Sequence, residues 1–135
     1  MATNVLFIDD DKTVQQLAGA ALSARGMVVL AAFSTKEADA TLRTAKVDVI
    51  VLDILMDPED GLSYCRRLRE EGHRAPVILL SALADPPTVA AGIASGAAAY
   101  MIKPFDTEEL YQRILEKVSP AASSPLGNAE NQANG

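Results

Sequence analysis

Tryptophan is absent, aromatic residues make up only 4% of the 135-residue chain, and there is a single cysteine, Cys65. A core without large rings has to be built from Val, Ile, Leu and Ala, which stabilise by aliphatic burial at about 25 cal/mol per Å². One thiol excludes an internal disulfide. No apolar run reaches 18 residues and no leader-type segment opens the chain, so neither membrane spanning nor secretion is expected and a cytoplasmic location is the default. Positive charge is also scarce: 12 Lys and Arg stand against 18 Asp and Glu, for a net charge of -6. That balance removes the counterion-release term on which nucleic-acid affinity rests, so direct binding to nucleic acid is not expected.

The length suits one domain that buries most of its unfolded surface. Short apolar runs recur at Val5 to Ile8, Met27 to Phe33, Val47 to Leu52, Val77 to Leu80 and Ala97 to Ile102. Their length and Val/Ile content read as strands buried on both faces of a parallel sheet. Helical patterns lie between them. In the first, Val14, Leu17, Ala18, Ala21 and Leu22 are expected to face the sheet while Lys12, Gln15, Gln16 and Arg25 face water, and Gly26 ends it. Ser34 with Glu37 forms a capping box for the second, and Leu62, Cys65 and Leu68 stripe a third that Gly72 stops. Asp85 before Pro86 opens a fourth, and Asp106 with Glu109 opens a last one carrying Leu110, Ile114 and Val118. Strictly alternating strands and helices predict a doubly wound α/β sheet with right-handed crossovers. Ser119 to Gly135 is Ala-, Ser-, Asn-, Gly- and Pro-rich and is expected to be a disordered tail or a truncated linker.

Acid falls where buried strands end: Asp9, Asp10 and Asp11 follow the first run, and Asp53 closes the third. In a five-stranded sheet of flavodoxin-like order the first and third strands are neighbours, and the ligand crevice lies beyond their carboxyl ends. Two carboxylates about 4 Å apart repel by roughly 4 kcal/mol at an effective dielectric near 20, so such a cluster calls for a hard divalent cation, most plausibly Mg²⁺. A lone Asp after a strand is ordinarily a turn or cap residue, and Asp11, just before the first helix, is read that way. Capping does not require acid at two separate strand ends, so Asp9, Asp10 and Asp53 are read as a site.

Taken with Gly61, Ser81-Ala82, Gly96-Ala97, Tyr100 and Lys103-Pro104-Phe105, in order and at compatible spacing, the acids make the chain resemble the receiver domain of bacterial response regulators, the CheY-like family. The resemblance implies a receiver domain over residues 1–118 and a sheet of order 2-1-3-4-5 flanked by five helices. It makes Asp53 the phosphoacceptor for a sensor histidine kinase or phosphotransfer protein. Asp10 becomes a direct Mg²⁺ ligand, Asp9 one through water, and Asp53 and the backbone carbonyl of Leu55 further ligands. Lys103 is expected to pair with Asp53, Ser81 to turn toward the phosphoryl group, and Tyr100 to rotate in response. The face of helix four, strand five and helix five would then change its contacts with a downstream effector or a second copy of the chain. The chain would not be an enzyme, only assisting its own phosphorylation and dephosphorylation.

Departures from the family pattern sit near the acceptor. Met56 is followed by Asp57 with proline only at Pro58, and Leu55 and Leu83 occupy positions from which, in the family, side chains influence acyl-phosphate hydrolysis. From Pro86 to Ile102 no residue is charged. Other functions on the same fold fit less well: a flavin phosphate would be repelled by three aspartates, and a dehalogenase-type phosphatase wants Asp where Leu55 stands. A receiver-like binding module that is never phosphorylated is the remaining alternative.

Overall fold

The computed structural model describes residues 2–118; the tail expected over 119–135 lies outside them. In chain order the elements are β1 (Asn4–Ile8), α1 (Lys12–Ser23), β2 (Val28–Ala32), α2 (Thr35–Thr44), β3 (Val49–Asp53), α3 (Gly61–Glu70), β4 (Val77–Ser81), α4 (Pro86–Ala94), β5 (Ala99–Ile102) and α5 (Thr107–Val118). The strands form one parallel sheet of order β2-β1-β3-β4-β5. No helix among the described residues is long and apolar enough to cross a membrane.

Side chains alternate across each strand, and the core divides accordingly. Val5, Phe7, Val49, Val51, Ile78 and Leu80 pack with Ala18 and Leu22 of α1 and Leu110 and Ile114 of α5. Leu6, Ile8, Ile50, Leu52, Val77 and Leu79 pack with Ala38 of α2 and Tyr64, Cys65 and Leu68 of α3. Gly92 of α4 is buried on this second side, close against Tyr100 and Leu79.

β3 and β4 are buried throughout and β1 nearly so, but β2 is not: Val28 is 45% exposed. The expectation of five strands buried on both faces therefore fails at the sheet edges, where β2 and β5 have a neighbour on one side only. Helix ends follow the residues expected of them. Asp11 caps α1 by accepting from Thr13 and Val14 N–H, Asp60 caps α3, and Asp85 caps α4 with prolines in its first turn. Ser34 Oγ accepts from Glu37 N–H, but the Glu37 carboxylate returns to Phe33 N–H, one residue before the cap. Asp106 accepts from Glu108 N–H at the start of α5.

Candidate functional site

β1 and β3 are paired in parallel with Ile8 opposite Leu52, so the residue after Ile8 comes level with Asp53. Asp9 continues the alternation Val5, Phe7 and Asp53 continues Val49, Val51, which puts both carboxylates on the same side of the sheet at its carboxyl edge. Asp10 joins them, and carboxylate oxygens of Asp9, Asp10 and Asp53 lie within 4.8 Å of one another. Asp9 and Asp53 are buried while Asp10 is exposed, so the cluster opens to solvent on one side and could hold a metal ion.

Lys103, just past β5, supplies a positive charge. Its Nζ lies 2.8 Å from Asp9 Oδ2 and 3.5 Å from Asp53 Oδ1. The ammonium is thus shared, with the shorter bond to Asp9 rather than to the partner named from the sequence. Burial alone would lower the Lys103 pKa, but the hydrogen bond to Asp9 and the charges of Asp53 and Asp9 outweigh it and carry the pKa above its ordinary value. Asp53 is pushed up to about 6, first by burial and then by the Asp9 charge, against the pull of Lys103 and of Leu55 N–H. Desolvation thus contributes more than the crowding of carboxylates.

The remaining residues named from the sequence lie after β3 and in β4 and β5. Leu55 N–H approaches Asp53 Oδ1 at 3.4 Å, and the Leu55 side chain is 53% exposed. Gly61 lies against the acceptor's own backbone: a Cβ there would come within 2.4 Å of the Asp53 carbonyl oxygen, so only glycine lets α3 start so close to the end of β3. Asp57 is exposed, on the outside of the connection and not in the cluster. Ser81 is the last residue of β4 and fully buried. Its Oγ accepts from Leu83 N–H at 3.0 Å, while Tyr100 Oη donates to the Leu83 carbonyl at 2.7 Å. The two residues named from the sequence as a switch therefore hold opposite ends of one residue's backbone.

Gln15 departs from the pattern expected of α1. Instead of facing water it is buried, and its Nε2 lies 2.9 to 3.0 Å from the carbonyls of Phe7, Asp9 and Ala32. Leu17, expected in the core, is 65% exposed. The buried positions of α1 are Gln15, Ala18 and Leu22, a helical spacing that would have flagged Gln15 had its polarity not been given more weight. Nor was the ion-pair network of Arg67 with Asp39, Glu59 and Glu71 foreseen, because its members are scattered over α2, α3 and the connection before α3.

Residues 5–115 match the pattern of the response regulator receiver domain. The chain belongs to that family. Among curated relatives, this receiver domain is 38% identical over 112 residues to the transcriptional regulatory protein CseB of Streptomyces coelicolor, covering 83% of this chain and 47% of that one. It is 35% identical over 123 residues to the response regulator MprA of Mycolicibacterium vanbaalenii, covering 89% and 53%. The chain thus spans about half the length of these relatives. Among solved structures, a Francisella response regulator 1452 receiver domain superposes with TM-score 0.80 at 38% identity, covering 83% of this chain and 93% of the other. The Vibrio cholerae chemotaxis protein CheY4 superposes with TM-score 0.81 at 27% identity, covering 87% and 99%. A receiver domain of two-component systems, with the expected 2-1-3-4-5 sheet, is therefore what this chain is.

Proposed function

We propose that this receiver domain accepts a phosphoryl group on Asp53 from a sensor histidine kinase or a phosphotransfer protein, and that the modification alters the α4–β5–α5 face. The observation that carries this reading is the convergence of Asp9, Asp10 and Asp53 within 4.8 Å around one ammonium. Three carboxylates against Lys103 leave an excess of negative charge and only oxygen donors. That donor set fits Mg²⁺, which Asp9, Asp10, Asp53 and the Leu55 carbonyl would hold. When bound, the ion would neutralise charge on the transferring phosphoryl oxygens.

In the transfer, an Asp53 carboxylate oxygen attacks the phosphorus of a phosphohistidine. The P–N bond breaks with its electron pair returning to the imidazole, and an acyl phosphate remains on Asp53. Lys103, already divided between two carboxylates, pairs with a phosphoryl oxygen afterwards. Ser81 Oγ accepts from Leu83 N–H and keeps its own hydroxyl proton for the new oxygens, so its turning toward them disturbs the bond to Leu83, to which Tyr100 is also tied. Added charge at Asp53 is thereby felt at β5 as a shift between two packings. Beside Lys103, an apolar groove of about 390 Å³ lined by Val14, Leu17, Ala18, Pro104 and Phe105 gives a phosphodonor protein a place to dock. A downstream effector, or a second copy of the chain, would read the altered face.

Exposure of the full chain to acetyl phosphate and MgCl₂, followed by intact mass measurement, tests the reading. Wild type should gain one phosphoryl group and Asp53→Ala none. Unmodified wild type would overturn it and favour a binding module that works without phosphorylation.

A further inference from the structure

The connection from β3 to α3 carries Leu55, and its conformation is held at few points. Ile54 carbonyl accepts from Met56 N–H at 3.1 Å and from Gly61 N–H at 2.8 Å, closing the ends. Between them Leu55, Asp57, Pro58 and Asp60 are exposed, and only Met56 is buried. Besides the Leu55 N–H contact with Asp53 and the Asp60 cap of α3, the side-chain tether is Glu59. Both of its carboxylate oxygens accept from Arg67 of α3, from Nε at 3.0 Å and from Nη2 at 2.9 Å, the paired geometry that a guanidinium favours. Arg67 is fixed in turn. It reaches Asp39 of α2 at 3.0 Å and Glu71 at 3.2 Å, and lies over the Tyr64 ring with its centre 4.8 Å away. Tyr64 Oη donates to Asp39 at 2.8 Å. All five N–H donors of the guanidinium are in use on three carboxylates. The Arg67 hydrogen bond holds Glu59 below the usual carboxylate range, so the tether stays ionised at neutral pH.

We infer that Arg67 is a positioning residue for the phosphoacceptor centre: by clamping Glu59 to α3 it fixes the connection that presents the Leu55 carbonyl to a divalent cation beside Asp53. This rests on the proposed reading of that centre as a Mg²⁺-dependent acceptor. A residue that merely stabilised the α2–α3 layer would act through Asp39, not Glu59, and would leave cation binding alone.

Electrostatics supplies a clean sign. Removing a positive side chain should, by Coulomb attraction alone, strengthen cation binding. Loss of the tether should weaken it, by about tenfold if Arg67 behaves as outer-sphere partners of metal sites do. The experiment is calorimetric titration of MgCl₂ into the full chain, paired with amide hydrogen exchange over residues 54–61 without metal. Arg67→Gln should bind Mg²⁺ about tenfold more weakly and exchange faster at 55–60, with β3 and β4 unchanged. The double variant Glu59→Gln/Arg67→Gln restores the charge balance and should bind no better than Arg67→Gln. Asp39→Asn, which leaves the Glu59 clamp in place, should lose clearly less affinity than Arg67→Gln. Should Arg67→Gln fail to fold, Arg67→Lys keeps the charge but loses the fork, and is expected to show part of the same weakening. Unchanged or tighter binding by the folded Arg67 variant, or an equal loss in Asp39→Asn, overturns the inference. No Mg²⁺ uptake by wild type removes the acceptor reading and this inference with it, whereas normal wild-type uptake with unaffected variants removes this inference alone.

Discussion

At Asp53, burial and the Asp9 charge raise the pKa from 3.8 to about 6, while Lys103 and Leu55 N–H only partly oppose them. The native state therefore holds a proton that the unfolded chain releases near pH 4, and between pH 4 and 6 the contribution of this group to folding stability falls as pH rises. Over that window the loss in metal-free protein should be on the order of 3 kcal/mol. Thermal melts in chelator should show it as a stability difference between Asp53→Asn and wild type that grows in favour of the variant from pH 4 to 6, and a difference that stays constant over that range would contradict the assignment. Near the acceptor, Leu55 and Leu83 carry exposed aliphatic side chains, which are expected to hinder an attacking water. Leu55→Asn should therefore shorten the lifetime of the Asp53 phosphate several-fold, measured as decay of the phosphorylated mass after the phosphodonor is removed. Slower decay in the variant would show that the aliphatic side chains do not limit access.

Among the elements, α1 shows what the sequence carries and what it hides. The cap at Asp11 and the core contacts of Ala18 and Leu22 follow from spacing alone, but one turn of the helix is occupied by an amide where a hydrocarbon is usual. Gln15 draws together carbonyls at the ends of β1 and β2, and those bonds exist only once the sheet has formed. Gln15→Met keeps the volume and removes one donor from three carbonyls, of which Ala32 retains Asp9 N–H and Phe7 retains its ladder bond to β2, leaving the Asp9 carbonyl without this partner. The expected destabilisation is on the order of 2 kcal/mol, read from denaturant melts. A variant as stable as wild type would mean that the amide contributes nothing net. The convergence of Asp9, Asp10 and Asp53 was legible because each acid sits at the end of a hydrophobic run, and strand order follows from alternation with helices. Which carboxylate Lys103 approaches, and whether β2 is covered, depend on distances of an ångström and on edge position, which no one-dimensional pattern encodes.

Across the whole molecule, charge and apolar surface are distributed unevenly. Net charge is -6, yet nothing from Pro86 to Ile102 is charged, and Ile93 and Ile102 on α4 and β5 are 49% and 41% exposed. Aliphatic side chains left this open favour contact with another surface. If the activated form pairs through this face, Ala94→Glu, at an exposed position of α4, should reduce association of the phosphorylated chain in sedimentation velocity by about tenfold while leaving the unphosphorylated chain unaffected. Identical sedimentation of variant and wild type in both states would assign the exposed isoleucines no part in self-association.

Leu83 contributes its peptide groups, not its side chain, to the bonds with Ser81 and Tyr100. The proposed coupling between them would consequently depend on the peptide groups at position 83 and not on the side chain, proline excepted, since proline brings no amide hydrogen. Comparisons of residue identity would pass over a coupling of this kind, because it is written in the main chain.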